Sequence, residues 1–178
     1  MINWYDETGR LIDETVFEFR KTLLDWYDEN SRTHLPWRID KEPYHVWISE
    51  IMLQQTQVET VIPYYERFLS ELPTVKNLAE VDEEKLLKLW SGLGYYSRVR
   101  NMQKAAQQIM SDFSGNFPTT AKELQTLSGI GPYTAAAIAS ISFGEVVPAL
   151  DGNMFRVFSR LLKIDADIAE PKSLKIFY

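Results

Sequence analysis

Apolar residues recur along most of the chain at intervals of three and four, the period of an amphipathic helix. From Thr15 to Asn30 the pattern predicts one helix that buries Phe19, Leu23, Leu24 and Trp26. Pro43 is suited to open the next, which carries Glu50 and is expected to run from Val46 towards Val58. Pro63 is expected to bend or restart it before Tyr64 to Leu72. Asp82 reads as an N-cap before Leu86, Leu87, Leu89 and Trp90, and Gly92 and Gly94 close that helix. Arg98 to Phe113 and Thr120 to Leu127 supply two more, the latter capped by Thr119 or Thr120. No Val/Ile/Thr-rich alternating run bounded by turns occurs, so the fold class is all-α. No repeat, low-complexity tract or flexible linker interrupts the series.

One position breaks the pattern. Glu50, in "SEIMLQQTQVE", has Val46, Trp47, Leu53 and Gln54 as its three- and four-step neighbours, and three glutamines follow it. A carboxylate in such a place is either tolerated, through an arginine partner, or used.

Composition changes the picture in two ways. At 178 residues and 45% hydrophobic content the chain can fill one sizeable core or two lobes around a cleft. The absence of cysteine excludes disulfides, thiol catalysis and a thiolate-held metal or iron–sulfur cluster within these residues, and His34 and His45 alone make no metal site. With no long apolar run and no secretory leader, the expected location is the cytoplasm, with no membrane partner. The net charge of −6 argues against a polyanionic partner until its distribution is considered. Residues 1–35 carry eight acids against four bases, whereas residues 85–111 carry Lys85, Lys88, Arg98, Arg100 and Lys104 and no acid. A local +5 can hold phosphates, although a solvated helix face would look the same.

The stretch "LSGIGPYTAAAIA" (127–139) joins two helices through Gly129 and Gly131 and then enters a helix of small residues. Glycines free the backbone amides, and the following helix N-terminus points more of them outward, so the turn can hold a phosphate; a plain αα-hairpin is the alternative. Downstream, Asp151 precedes Gly152, Asn153 and a helix expected over Met154 to Leu162, where it can serve simply as an N-cap.

These stretches together carry a resemblance. "LSGIGPYTA" resembles the helix-hairpin-helix motif of the DNA glycosylase superfamily that includes endonuclease III, and "LDGN" (150–153) resembles its aspartate loop. "LPWR" (35–38), "WISEIMLQQTQV" (47–58), "IPYYERF" (62–68) and "GLGYYSRVRN" (92–101) are similar to the adenine DNA glycosylases of the MutY type, in that family's order, from about residue 20 to 165. The resemblance implies two helical lobes: a six-helix barrel over 36–143 holding the hairpin at about 120–140, and a second, incomplete lobe from 1–35 plus 144–178. DNA would lie across the cleft between them.

It also implies roles. Glu50 would protonate the adenine and activate water, and Asp151 would stabilise the positive sugar, with Tyr133 and Asn153 as its buttresses. Gln55 would intercalate, and Tyr95 would wedge beside the base opposite. Trp37, Arg38, Arg98 and Arg100 would line the pocket or contact DNA, as would Gly129 and Gly131, and carbonyls of Leu127 and Ile130 would hold an alkali cation. Endonuclease III-type enzymes carry a nucleophilic lysine just after the hairpin; here the residues are Pro132, Tyr133 and Thr134, which implies a monofunctional enzyme. The implied partner is double-stranded DNA bearing A:8-oxoguanine or A:G mispairs, bound by a monomer.

The pattern departs from the family in three places. Members usually continue into a four-cysteine loop holding a [4Fe–4S] cluster and into a domain that reads 8-oxoguanine, and neither is present here. The residues end within a helix expected to begin near Pro171. Met154 stands where valine is commoner. A DNA-binding fragment with impaired catalysis, and an endonuclease III-type enzyme for another base, therefore stay open as readings.

Overall fold

The computed structural model describes residues 4–168, 170 and 173–177. Among these it contains helices and one isolated bridge, Tyr5 with Leu11, and no strand of a sheet. The chain divides into two compact units: one spans Leu35–Asp151, and the other combines the described residues of Met1–His34 and Gly152–Phe177.

The larger unit is built on α2, Pro43–Met52. Pro43 occupies its first turn, where no amide is needed, and Tyr44, Val46, Trp47, Ile48, Ser49, Ile51 and Met52 are all buried. A helix apolar on nearly every side belongs at the centre of its unit. With it the unit contains α3 (Val58–Glu71), α4 (Val75–Glu80), α5 (Glu83–Trp90), α6 (Ser97–Asp112), α7 (Ala121–Leu124) and α8 (Pro132–Phe143), of which α3 and α8 pack on α2. α8 packs on α2 through a run of buried small residues, Ala135 to Ala139, which lets the two backbones approach. Trp47, Phe68 and Trp90 are wholly buried, and each contributes on the order of 1.5–3 kcal/mol of transfer free energy.

Several caps match their sequence signals. Asp82 accepts from the Lys85 amide at 2.8 Å, and Thr120 rather than Thr119 accepts from the Glu123 amide at 3.2 Å. Three expectations are corrected. The helix carrying Glu50 stops at Met52, and Val58 begins the next one. The break lies at residues 53–57, where Gln55 takes φ +57°, and not at Pro63, which sits inside α3; one missing amide in the early turns does not interrupt that helix. Residues 144–151, expected in the other lobe, fold with the larger unit. The Glu145 carboxylate accepts from the Ala121 amide at 2.6 Å, the Glu145 amide donates to the Ala139 carbonyl at 3.1 Å, and Val147 packs on the core.

In the smaller unit, α1 (Asp13–Asn30) has no buried residue: Leu23, Leu24 and Trp26 are exposed, against expectation. Its main anchor is buried Trp4, edge-on to Phe19 at 5.3 Å. α9 (Gly152–Leu161), two residues earlier than expected, and a 3₁₀ turn at Ser173–Phe177 pack through Phe155 and Phe177. The described part of this unit is too small to enclose an amphipathic helix of 18 residues. The helix start expected near Pro171 lies outside the described residues.

Candidate active site

Three residues of the larger unit act on the carboxyl group of a fourth. Glu50, in the last turn of α2, is half-buried. Burial pushes its carboxyl above the ordinary value of 4.5, because a carboxylate loses hydration there. The Tyr133 hydroxyl, from the first turn of α8, donates to it, and Arg38, from the 3₁₀ turn Pro36–Arg38, lies close enough to favour its charged form. Both oppose the shift without cancelling it. Asp151 adds to it as a like charge. Tyr133 is itself pushed well up, by burial first and then by Glu50 and Asp151, so it stays a phenol and a donor. The site thus holds a carboxyl that keeps its proton to higher pH beside a second carboxyl, at the end of the stretch that Glu145 and Val147 hold against α7 and α8.

Trp37, Gln55 and Tyr95 belong to the same unit as Glu50. Trp37 is half-buried, with its ring edge-on to Tyr65 at 5.5 Å, so it forms wall rather than free surface. Gln55 is exposed in the turn between α2 and α3. Tyr95, 65% exposed, occupies the turn between α5 and α6 with φ +48°, and Tyr96 is exposed beside it, which excludes a core aromatic pair. Asn153 belongs to the smaller unit, where its side-chain oxygen accepts from Arg156 at 3.1 Å.

The hairpin turn depends on Gly129. Its φ is +74°, and a Cβ there would lie 2.7 Å from the Asn101 Cβ, so neither the conformation nor the space admits a side chain. Gly131 is extended, in open space, and precedes Pro132 at the start of α8. The side chains of Leu127 and Ile130 are buried; the Leu127 carbonyl accepts from the Ile130 amide at 3.2 Å. With no cysteine, and no group of three His, Asp or Glu side chains brought together among the described residues, the chain offers no side-chain cradle for an iron–sulfur cluster or a divalent metal.

The basic run at 85–111 is partly engaged within the protein. Lys85 pairs with Glu71 at 2.9 Å and Arg100 with Glu83 at 2.8 Å, so acids distant in sequence offset both charges. Arg98 turns inward and donates to the carbonyls of Ile51 and Gln54 (both 2.8 Å), Leu93 (3.0 Å) and Gly94 (3.3 Å). Two supporting residues were missed. Asn101 packs beneath Gly129, and Gln108 accepts from the Ser128 amide at 2.7 Å. Their signal was a polar pair seven residues apart along the edge of the buried face of α6.

The chain is similar to known DNA repair proteins. The family described as HhH-GPD superfamily base excision DNA repair protein matches residues 48–177. The adenine DNA glycosylase of Rattus norvegicus is 48% identical over 161 residues, which cover 85% of this chain and 31% of that protein. That of Buchnera aphidicola subsp. Schizaphis graminum is 44% identical over 165 residues, covering 92% and 48%. The chain therefore spans less than half the length of these relatives. Among solved structures, a thermostable thymine-DNA glycosylase superposes with a TM-score of 0.76 at 26% identity, over 83% of this chain and 68% of that one. A non-covalent endonuclease III–DNA complex superposes at 0.74 with 22% identity, over 89% and 74%, and supports the fold alone.

Proposed function

The chain belongs to the HhH-GPD superfamily of base excision DNA repair proteins, and from that membership we propose that it is the catalytic region of an adenine-specific DNA glycosylase. Its partner is double-stranded DNA in which adenine faces 8-oxoguanine or guanine. The observation that carries this reading is a half-buried carboxyl, Glu50, held above its ordinary protonation range and influenced by a second carboxyl, Asp151.

The chemistry follows from that asymmetry. The adenine must leave the stack to be reached, and Gln55 and Tyr95 are placed on exposed turns where they can fill or wedge the gap. Glu50 gives its proton to the adenine ring, so the base departs neutral with the electron pair of the C1′–N9 bond. The positive charge left on the sugar faces the Asp151 carboxylate, which stabilises it. Glu50, now ionised, takes a proton from a water whose oxygen bonds to C1′, and the acid is regenerated. The products are free adenine and an abasic site. Tyr133 orients the Glu50 carboxyl through its hydroxyl, and with no lysine beside it the enzyme is monofunctional.

The test is incubation with duplexes carrying A opposite 8-oxoguanine, G or T, followed by alkaline cleavage of abasic sites. Release from the first two, lost in Glu50→Gln and Asp151→Asn, is expected, as is failure of borohydride to trap a covalent adduct. A second reading, DNA binding without effective catalysis, is favoured by the uncovered α1. Binding without release from any duplex would establish it.

A further inference from the structure

Four non-glycine residues take positive φ among the described residues, and two of them are Gln55 (+57°) and Tyr95 (+48°). A side chain disfavours this conformation, so it persists only where the surroundings impose it. Both have the same restraint, although they lie in different turns. One guanidinium, Arg98 on α6, donates to the carbonyl immediately before each: Gln54 at 2.8 Å through Nη1 and Gly94 at 3.3 Å through Nη2. The same two nitrogens reach Ile51, next to Glu50, at 2.8 Å and Leu93 at 3.0 Å. The guanidinium also lies over the Tyr95 ring at 5.6 Å and over buried Trp90 at 5.3 Å. Its Nε alone has no protein partner.

Resting on the reading of Gln55 and Tyr95 as the residues that enter DNA, we propose that Arg98 is a positioning residue that clamps both turns to the end of the Glu50 helix and presets the two side chains for extrusion of the base. A planar fork serves each turn from a separate nitrogen, whereas the three donors of lysine share one nitrogen and cannot reproduce that spacing. The two turns should therefore loosen together when the fork is lost, although no hydrogen bond between them is needed for that.

The test compares the wild-type chain with Arg98→Lys by amide hydrogen exchange and by adenine release. Exchange across residues 53–57 and 92–96 is expected to rise together, by about tenfold or more, while α3 and α8 keep their protection. Adenine release from a mispaired duplex should fall by at least about tenfold. Release of an adenine facing a gap, where no partner base has to be displaced, should fall by less than about threefold. A merely destabilised fold would slow both substrates alike, and that result, or protected turns in the variant, overturns the clamp. Should the wild type release no adenine from any duplex, the proposed function fails, and the exchange measurement alone decides the clamp. If Arg98→Lys does not fold, Arg98→Gln, whose one amide can reach only one turn, is expected to leave one turn protected and the other open. Two turns protected as in the wild type would overturn the proposal.

Discussion

Glu50 and Arg98 are both charged residues beside the buried face of a helix, both are partly buried, and they lie in the same unit, yet their surroundings put them to opposite uses. Around Glu50, burial outweighs the Tyr133 hydrogen bond and the Arg38 charge, so the carboxyl is pushed towards its neutral form. Around Arg98 the partners are carbonyl dipoles, which solvate a cation without neutralising it. A buried carboxyl can respond by keeping its proton, and a proton is a reagent. A guanidinium stays charged under any ordinary condition, so the same burial makes it an organiser of backbone. A charged residue on an apolar helix face therefore reads as chemistry or as scaffolding according to whether it can titrate.

The largest expected effect tests the chemical half of that contrast. Glu50→Gln removes the proton donor and Asp151→Asn the charge that stabilises the sugar. Each should lower single-turnover adenine release by about a thousandfold, within the range general acid–base groups supply. The Arg98 variants, by contrast, should keep measurable release. If Glu50→Gln keeps more than about a tenth of the wild-type rate, the acid lies elsewhere.

Next in size is the hairpin. Gly129→Ala adds a Cβ 2.7 Å from that of Asn101 at a φ of +74°, a clash with a rigid helix position together with a disfavoured backbone. We expect a loss of about 1–3 kcal/mol in urea unfolding. Gly131→Ala, in open space with extended backbone, should lose less than half as much. Equal losses would mean that the turn's geometry is not what requires Gly129.

Tyr133→Phe sharpens the electrostatic side. The hydroxyl bond favours the ionised form of Glu50, so its loss raises the Glu50 pKa further. Release requires the protonated acid, so activity falls as pH rises through that pKa; in Tyr133→Phe this limb should move to higher pH. The rate on the plateau should drop about tenfold, through lost orientation. Stability follows the same sign. Between the ordinary carboxyl value of 4.5 and the raised value in the fold, the native state holds a proton that the unfolded chain has released, so unfolding free energy falls as pH rises through that window. Glu50→Gln should abolish that slope in melts taken across the window.

How much of this was legible in sequence depends on the range of the interaction involved. Caps such as Asp82 and Thr120 could be read because their partners lie three residues away. Glu50 stood out because helical spacing alone surrounds it with apolar side chains, and the hairpin glycines because a turn has few solutions. The burial of α1 was misread, since periodicity shows that a helix has an apolar side but not that anything covers it. The position of the break after α2 was misassigned to Pro63 because proline is the visible signal, whereas the left-handed Gln55 is held by Arg98, 43 positions on. The tie of residues 144–151 to α7 was equally hidden, resting on a Glu145 carboxylate and an amide 24 positions away.

In the basic run at 85–111, too, the partners of Lys85, Arg98 and Arg100 lie far off in sequence, and the run carries the smallest prediction. Five phosphate contacts from that run would make binding depend on salt with a slope near −4.5, and each contact removed would flatten the slope by about 0.9. Arg100 is engaged by Glu83, with both side chains more than half exposed, so its charge is offset before any DNA arrives. We expect Arg100→Ala to change the slope for a mispaired duplex by less than about 0.3, a third of one contact. Glu83→Gln, which frees Arg100, should steepen it instead. If Arg100→Ala flattens the slope by the full contact, the ion pair opens on binding, and the run of bases is a phosphate-holding surface after all.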